Sequence, residues 1–231
     1  MQTVVLACHT IHDELEKAAR ETNCHYPFIW VESGLHLRTE VLRRRLQEEL
    51  DKIDGVDRVL FGFGFCGNSV VGLTPRNFEL IFPKVDDCIT LLLGSYEMRK
   101  RYTEQGGVYF LTKGWLEGEL NIWKEYQSVL ERFGPEKTER IFRIMLSHYR
   151  SLGLIDTGAY DLAGLVPHVE EIAATLNLEH RILPGTIDRL KSFLSGPWNE
   201  EDYVIIPPFT TIEISHVCTG STAPMLQGLT S

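Results

Sequence analysis

Short runs of consecutive apolar residues alternate along this chain with stretches whose apolar positions recur every three or four residues. The first kind reads as buried strand and the second as amphipathic helix. "TVVLAC" (Thr3–Cys8) predicts a buried strand and "HDELEKAARET" the helix after it. "PFIWVES" (Pro27–Ser33) predicts a second strand, followed by a strong helix with Leu42, Leu46, Leu50 and Ile53 at helical spacing. "DRVLFGFG" and "FELIFP" predict strands three and four, with Pro83 stopping the latter. A helix over "CITLLLGSYEMRKRYTEQ" and a fifth strand, "GVYFLT", come next.

The character then changes. Gly114–Gly134 and Pro135–Gly153 predict two long helices, with Gly134 closing the first and Pro135 opening the second. His148 and Tyr149 fall in the second of these, and "LIDTG" (Leu154–Gly158) reads as a turn that aims Asp156 toward a site. "HVEEIAATLN", "EHRILPG", "TIDRLKSFLSG" and "DYVIIPP" predict a helix, strand, helix and strand. The fold expected is α/β: a mostly parallel sheet with helices on both faces, two long central helices and a smaller second α/β portion. Residues 1–208 form one domain, made of a first βα half (1–113), a helical pair (114–152) and a second half (153–208). A Ser/Thr-rich tail, expected to be loosely held, fills 209–231.

Composition narrows the function class. The 231 residues are 43% hydrophobic and 24% charged, as in a folded globular protein, and the formal net charge of −9 disfavours nucleic acid as a partner. Arg43–Arg45 is a local exception, read as a solvated helix face because Glu48 and Glu49 follow within ion-pair reach. The N-terminus has no basic region before its short apolar run, and no stretch approaches the roughly 20 apolar residues that cross a bilayer, so a cytoplasmic protein with no membrane partner is expected. Thiols are kept reduced there, and five cysteines, an odd number, argue against a disulfide framework.

Three of those cysteines share a position in the pattern. Cys8, Cys66 and Cys88 each lie just past a predicted strand, at the edge of a parallel sheet where ligands bind. A helix N-terminus is expected behind each, favouring the thiolate. Three thiolates suit an open zinc site or a [4Fe–4S] cluster with one free iron. His9 and His36 are the histidines nearest in context, and His36 is the preferred fourth metal ligand. Cys24 precedes its strand and reads as structural, while Cys218, with His216, lies in the tail, where an extra ligand would have to fold back.

Other residues have places near such a site. "GFGFCG" matches G-x-G-x-x-G through Gly62, Gly64 and Gly67, which allows a nucleotide-dependent enzyme as an alternative, but the segment after Gly67 is a poor helix. The same glycines let backbone approach a cofactor closely, which puts Gly64, Gly67 and Asn68 beside it, with Trp115 as a wall of the crevice. Asp86 and Asp87 are either caps of the helix that follows or catalytic proton carriers.

The strand ending in Cys8, "LHLRTEVLRRRLQEELD", "LFGFGFCGNSVVGL", "DDCITLLLGS", "YFLTKGW", "SHYRSLGLIDTG" and "LSGPWNEEDYVIIPP" together resemble the domain of unknown function 1638 family, up to about Pro208. The resemblance implies that Cys8, His36, Cys66 and Cys88 are the positions to watch. The family often has a histidine before the third cysteine, where this chain has Asp87. Its members occur mainly in anaerobes, often beside corrinoid-dependent methyl transfer proteins, which implies a place near one-carbon metabolism. The layout is also similar in outline to the cluster-binding α/β domains of the 2-hydroxyacyl-CoA dehydratase group.

The function expected is a metal- or iron–sulfur-binding protein that activates a small-molecule ligand at an open coordination position. The alternative is a non-catalytic accessory protein that handles a corrinoid or metal for a methyltransferase.

Overall fold

A computed structural model of the chain describes residues 1–217. Strand β1 (Thr3–Cys8) is buried along its whole length, as its unbroken apolar run requires. It pairs in parallel with β2 (Phe28–Val31) on one side and β3 (Arg58–Gly62) on the other. Strand β4 (Glu79–Pro83) pairs in parallel with β3. Strand β8 (Tyr203–Ile206) closes the sheet by running antiparallel to β4, so the order is β2-β1-β3-β4-β8. The chain steps from β1 out to β2 and then crosses back over β1 to β3, which puts the switch in strand order between β1 and β3.

Helices α1 (His12–Thr22) and α2 (Thr39–Lys52) cover this sheet. Leu42, Leu46 and Leu50 of α2 are fully buried, each contributing about 2 kcal/mol of apolar transfer. Asn23, with φ 52°, ends α1 in a left-handed cap.

A second parallel sheet, in the order β5-β6-β7, is built from β5 (Val108–Leu111), β6 (Ser151–Asp156) and β7 (Glu179–Pro184). It differs from the expected layout in three ways. The "GVYFLT" strand belongs to this sheet and not to the first, and the strand after Asp202 returns to the first sheet as β8. The segment 151–156, expected as the end of a helix and the start of a turn, is the central strand β6, so the expected boundaries at 113/114 and 152/153 do not separate the two sheets. Gly153 sits where a Cβ would stand 2.6 Å from Leu183 and Val108, so the strand must be bare there.

The helices are also shorter than the periodicity predicts. The stretch after Cys88 is two helices, α3 (Cys88–Leu93) and α4 (Tyr96–Glu104), because Gly94 adopts φ 84° and Ser95 caps α4 by accepting from the Met98 N–H. The next is α5 (Lys113–Glu117) and α6 (Ile122–Phe133), with Asn121 accepting from the Trp123 and Lys124 N–H groups. Helix α7 (Pro135–Met145) does open at Pro135, but it stops before His148 and Tyr149, which lie outside it. Helices α8 (Leu162–Thr175) and α9 (Asp188–Ser195) complete the second half.

The segment past Pro208 is tied down through Val217. Ile212 is buried and exchanges backbone hydrogen bonds with Gly72 and Leu73, and α10 (Ile214–Val217) ends on the buried Val217. Cys218 lies outside the described residues.

Candidate functional site

Strands β1, β3 and β4 are neighbours, and the chain leaves all three at the same sheet edge. Cys8 is the last residue of β1. Cys66 lies in the loop after β3, and Cys88 begins α3 after β4. The latter two loops continue the pairing of their strands. The Phe65 N–H donates to the Val85 carbonyl at 2.8 Å, and the Cys66 N–H to the Asp86 carbonyl at 2.7 Å. Gly64 makes that approach possible, since a Cβ there would stand 2.8 Å from the Asp87 Cα and the Val85 oxygen. Cys66 adopts φ 45°, Gly67 64° and Asn68 65°, a cluster of left-handed backbone at the site.

A cavity of about 450 Å³ opens at this edge. Cys66, Cys88, Asp86, Asp87, Gly67, Asn68, His36 and Trp115 all line it. Cys8 is buried beneath, with its Sγ 3.1 Å from His36 Nε2 and 3.0 Å from Thr10 Oγ1. The Trp115 ring meets His36 edge-on, 6.2 Å between centroids. Gly114 packs α5 directly on the first sheet's strand end, where a Cβ would stand 2.3 Å from the Thr10 oxygen. The strand ends of both sheets therefore wall one cavity.

Not every expected residue joins it. His9 is exposed and stacks on His12, 5.1 Å away, with Trp30 at its edge. Cys24 packs against the core at the far end of β2. Asp156 accepts from the Gly158 N–H instead of facing the site. Residues 66–72 form turns and not a helix, so the helix N-terminus that a dinucleotide fingerprint presents to phosphate is not there.

The expectation that helix ends favour thiolates is corrected as well. Burial pushes the Cys8 thiol up, the Thr10 hydrogen bonds only partly opposing it. Burial raises Cys66 further, with the Cys8 and Asp87 charges adding to it. Cys88 is also raised, by burial first and then by Asp87, Cys8 and Cys66. Burial holds His36 below the usual histidine range, hence neutral. All three shifts favour the protonated thiol; Cys66 feels the charge Cys8 would carry, and Cys88 that of both.

Asp87 caps α3, its Oδ1 accepting from the Thr90 N–H at 3.2 Å. Arg99 of α4 clamps both aspartates, Nη1 donating to Asp86 Oδ2 at 2.8 Å and Asp87 Oδ1 at 2.6 Å. Burial works against the Arg99 charge, but the two carboxylates outweigh it and hold the guanidinium protonated. Burial raises Asp87 over the opposing pull of Arg99. Sequence reasoning missed Arg99, along with Tyr96, Ile89, Thr10 and Thr112 of the lining. Arg99 carried no signal, because one continuous helix was expected through it.

Among the described residues, no group of three or more His, Cys, Asp and Glu side chains is placed to hold one metal ion as the side chains are oriented. No helix among them is long and apolar enough to cross a membrane. A family model described as "Protein of unknown function (DUF1638)" matches residues 30–194. No curated protein and no solved structure matches the chain.

Proposed function

The chain belongs to the DUF1638 family, and from that premise we propose that its function rests on a soft-metal site made by Cys8, Cys66 and Cys88 with His36, at the floor of the cavity. The observation that carries the reading is the placement of three thiols at the ends of three adjacent strands, Cys8 buried and Cys66 and Cys88 half-buried in the cavity wall. The hydrogen bonds that reach these thiols, from Thr10 and the Gly64 backbone, do not offset burial, and Arg99, a cation of the cavity wall, is engaged by Asp86 and Asp87. A bound cation stabilises the ionised thiols, since metal ligation requires and drives thiol deprotonation. Binding one ion requires the three side chains to reorient, a change of staggered χ1 well being the least costly way. Three sulfurs with or without His36 fit tetrahedral zinc or an iron–sulfur cluster.

A nucleophilic Cys8–His36 pair is the competing chemistry, because the two side chains are 3.1 Å apart. Burial raises the cysteine and lowers the histidine, which is the reverse of the ion pair that an activated thiolate needs. The metal reading is therefore preferred. Asp86 and Asp87 are assigned to holding the Cys88 loop through Arg99 and the α3 cap, rather than to proton transfer. The corrinoid and methyl-transfer partners implied by the resemblance form no part of the proposal.

Anaerobic purification followed by elemental analysis tests it. The natural chain should carry zinc or iron in a fixed ratio, a brown colour marking a cluster, and Cys66→Ala should lose it. A metal-free natural chain, or an unchanged variant, removes the proposal.

A further inference from the structure

The cavity walls also carry information on charge. Phe65, Ile89, Tyr96, Trp115 and Val217 present apolar or aromatic surface, and among the described lining residues Arg99 is the one charged cation. Its charge is already opposed by two carboxyl groups, both met by Nη1. Besides Asp86 and Asp87, Nη1 also donates to Thr90 Oγ1 at 3.0 Å. Two carboxyl groups face one guanidinium at an apolar wall, where charge is weakly screened. An entering carboxylate or phosphate would meet two carboxyl groups for the one guanidinium and shed its own water against aromatic surface, and neither cost is repaid. Hydrogen-bonding capacity is present without charge, in Thr10, Thr39, Thr112 and Asn68. A volume of about 450 Å³ falls in the range of small-molecule sites.

We infer that the cavity takes an uncharged, largely apolar ligand bearing a hydrogen-bonding group, and turns away carboxylates and phosphates. This rests on the cavity being the functional site, as proposed above, but not on the metal.

Size-matched aromatic probes that differ in charge test the inference. Benzyl alcohol, benzoate and phenyl phosphate are titrated, by ligand-observed NMR, into the purified natural chain of measured metal content and into Cys66→Ala. Benzyl alcohol should bind at least about tenfold more tightly than either anion in both proteins. Persistence of that preference in Cys66→Ala separates this inference from the metal proposal. In an Asp86→Asn/Asp87→Asn double variant Arg99 is released, while asparagine still serves as an N-cap for α3. Benzoate should then gain at least about tenfold, with benzyl alcohol little changed. Benzyl alcohol failing to bind the natural chain, an anion binding it as tightly, or no gain for benzoate in a double variant of natural melting temperature would each overturn the inference.

Discussion

The Cys66 N–H donates to the Asp86 carbonyl at 2.7 Å, and this bond locks the loop after β3 to the loop that delivers Cys88. The two cysteines are held together by backbone and not by side-chain packing alone. Gly64 permits the approach, so Gly64→Ala should force the loops apart at a cost of about 1–3 kcal/mol. Chemical denaturation should show the lower midpoint, and metal content should fall with it.

His36 touches the Cys8 sulfur from a half-buried ring whose protonation burial disfavours. Whether it ligates or orients Cys8, His36→Asn should weaken metal affinity by about 10–100-fold. Competition with a chromophoric chelator measures this directly, and an unchanged affinity would remove His36 from the site.

Glu14 of α1 gives the protein a pH dependence unrelated to the thiols. It is 1% exposed and accepts from Thr157 Oγ1 at 3.1 Å, joining α1 to the end of β6. Burial raises its carboxyl from 4.5 to about 7; Asp13 adds to the rise, while Thr157 and Lys113 oppose it. The folded state therefore binds this proton more tightly than the unfolded one. Its stabilising contribution is complete below pH 4.5 and is lost as pH rises through about 7. Glu14→Gln should be more stable than the natural chain at pH 8, by roughly 3 kcal/mol at most. The difference should vanish near pH 4.5, which thermal melts across that range would show.

Gly114 lets α5 rest on Thr10, and the same turn places Trp115 in the cavity wall. Gly114→Ala should push α5 outward, lowering the melting temperature and weakening benzyl alcohol binding together. Loss of stability with full ligand binding would show that α5 does not set the wall.

Much of the site was legible because each cysteine follows a run of apolar residues that only a strand explains, and ligands of parallel sheets gather past such runs. That the three strands are neighbours was not legible, since strand order depends on contacts distant in sequence. Strand β6 was missed because Ser151–Asp156 follows directly on a helical pattern and contains Gly153, whose bareness is required by Leu183 and Val108 across the sheet. Arg99 was missed for a related reason. Gly94 and Ser95 break the helix, and only the turn they make swings α4 back so that Arg99 reaches Asp86 and Asp87. The thiol charge state was misread because helix ends were weighed without the burial that outweighs them.

X-ray absorption at the metal edge of the anaerobically purified chain bears most directly on the central claim. A first shell dominated by sulfur, at about 2.3 Å for zinc, that loses sulfur in Cys8→Ala, Cys66→Ala and Cys88→Ala alike is the predicted result. A shell of oxygen and nitrogen only, or a sulfur shell indifferent to any one of the three substitutions, would contradict it.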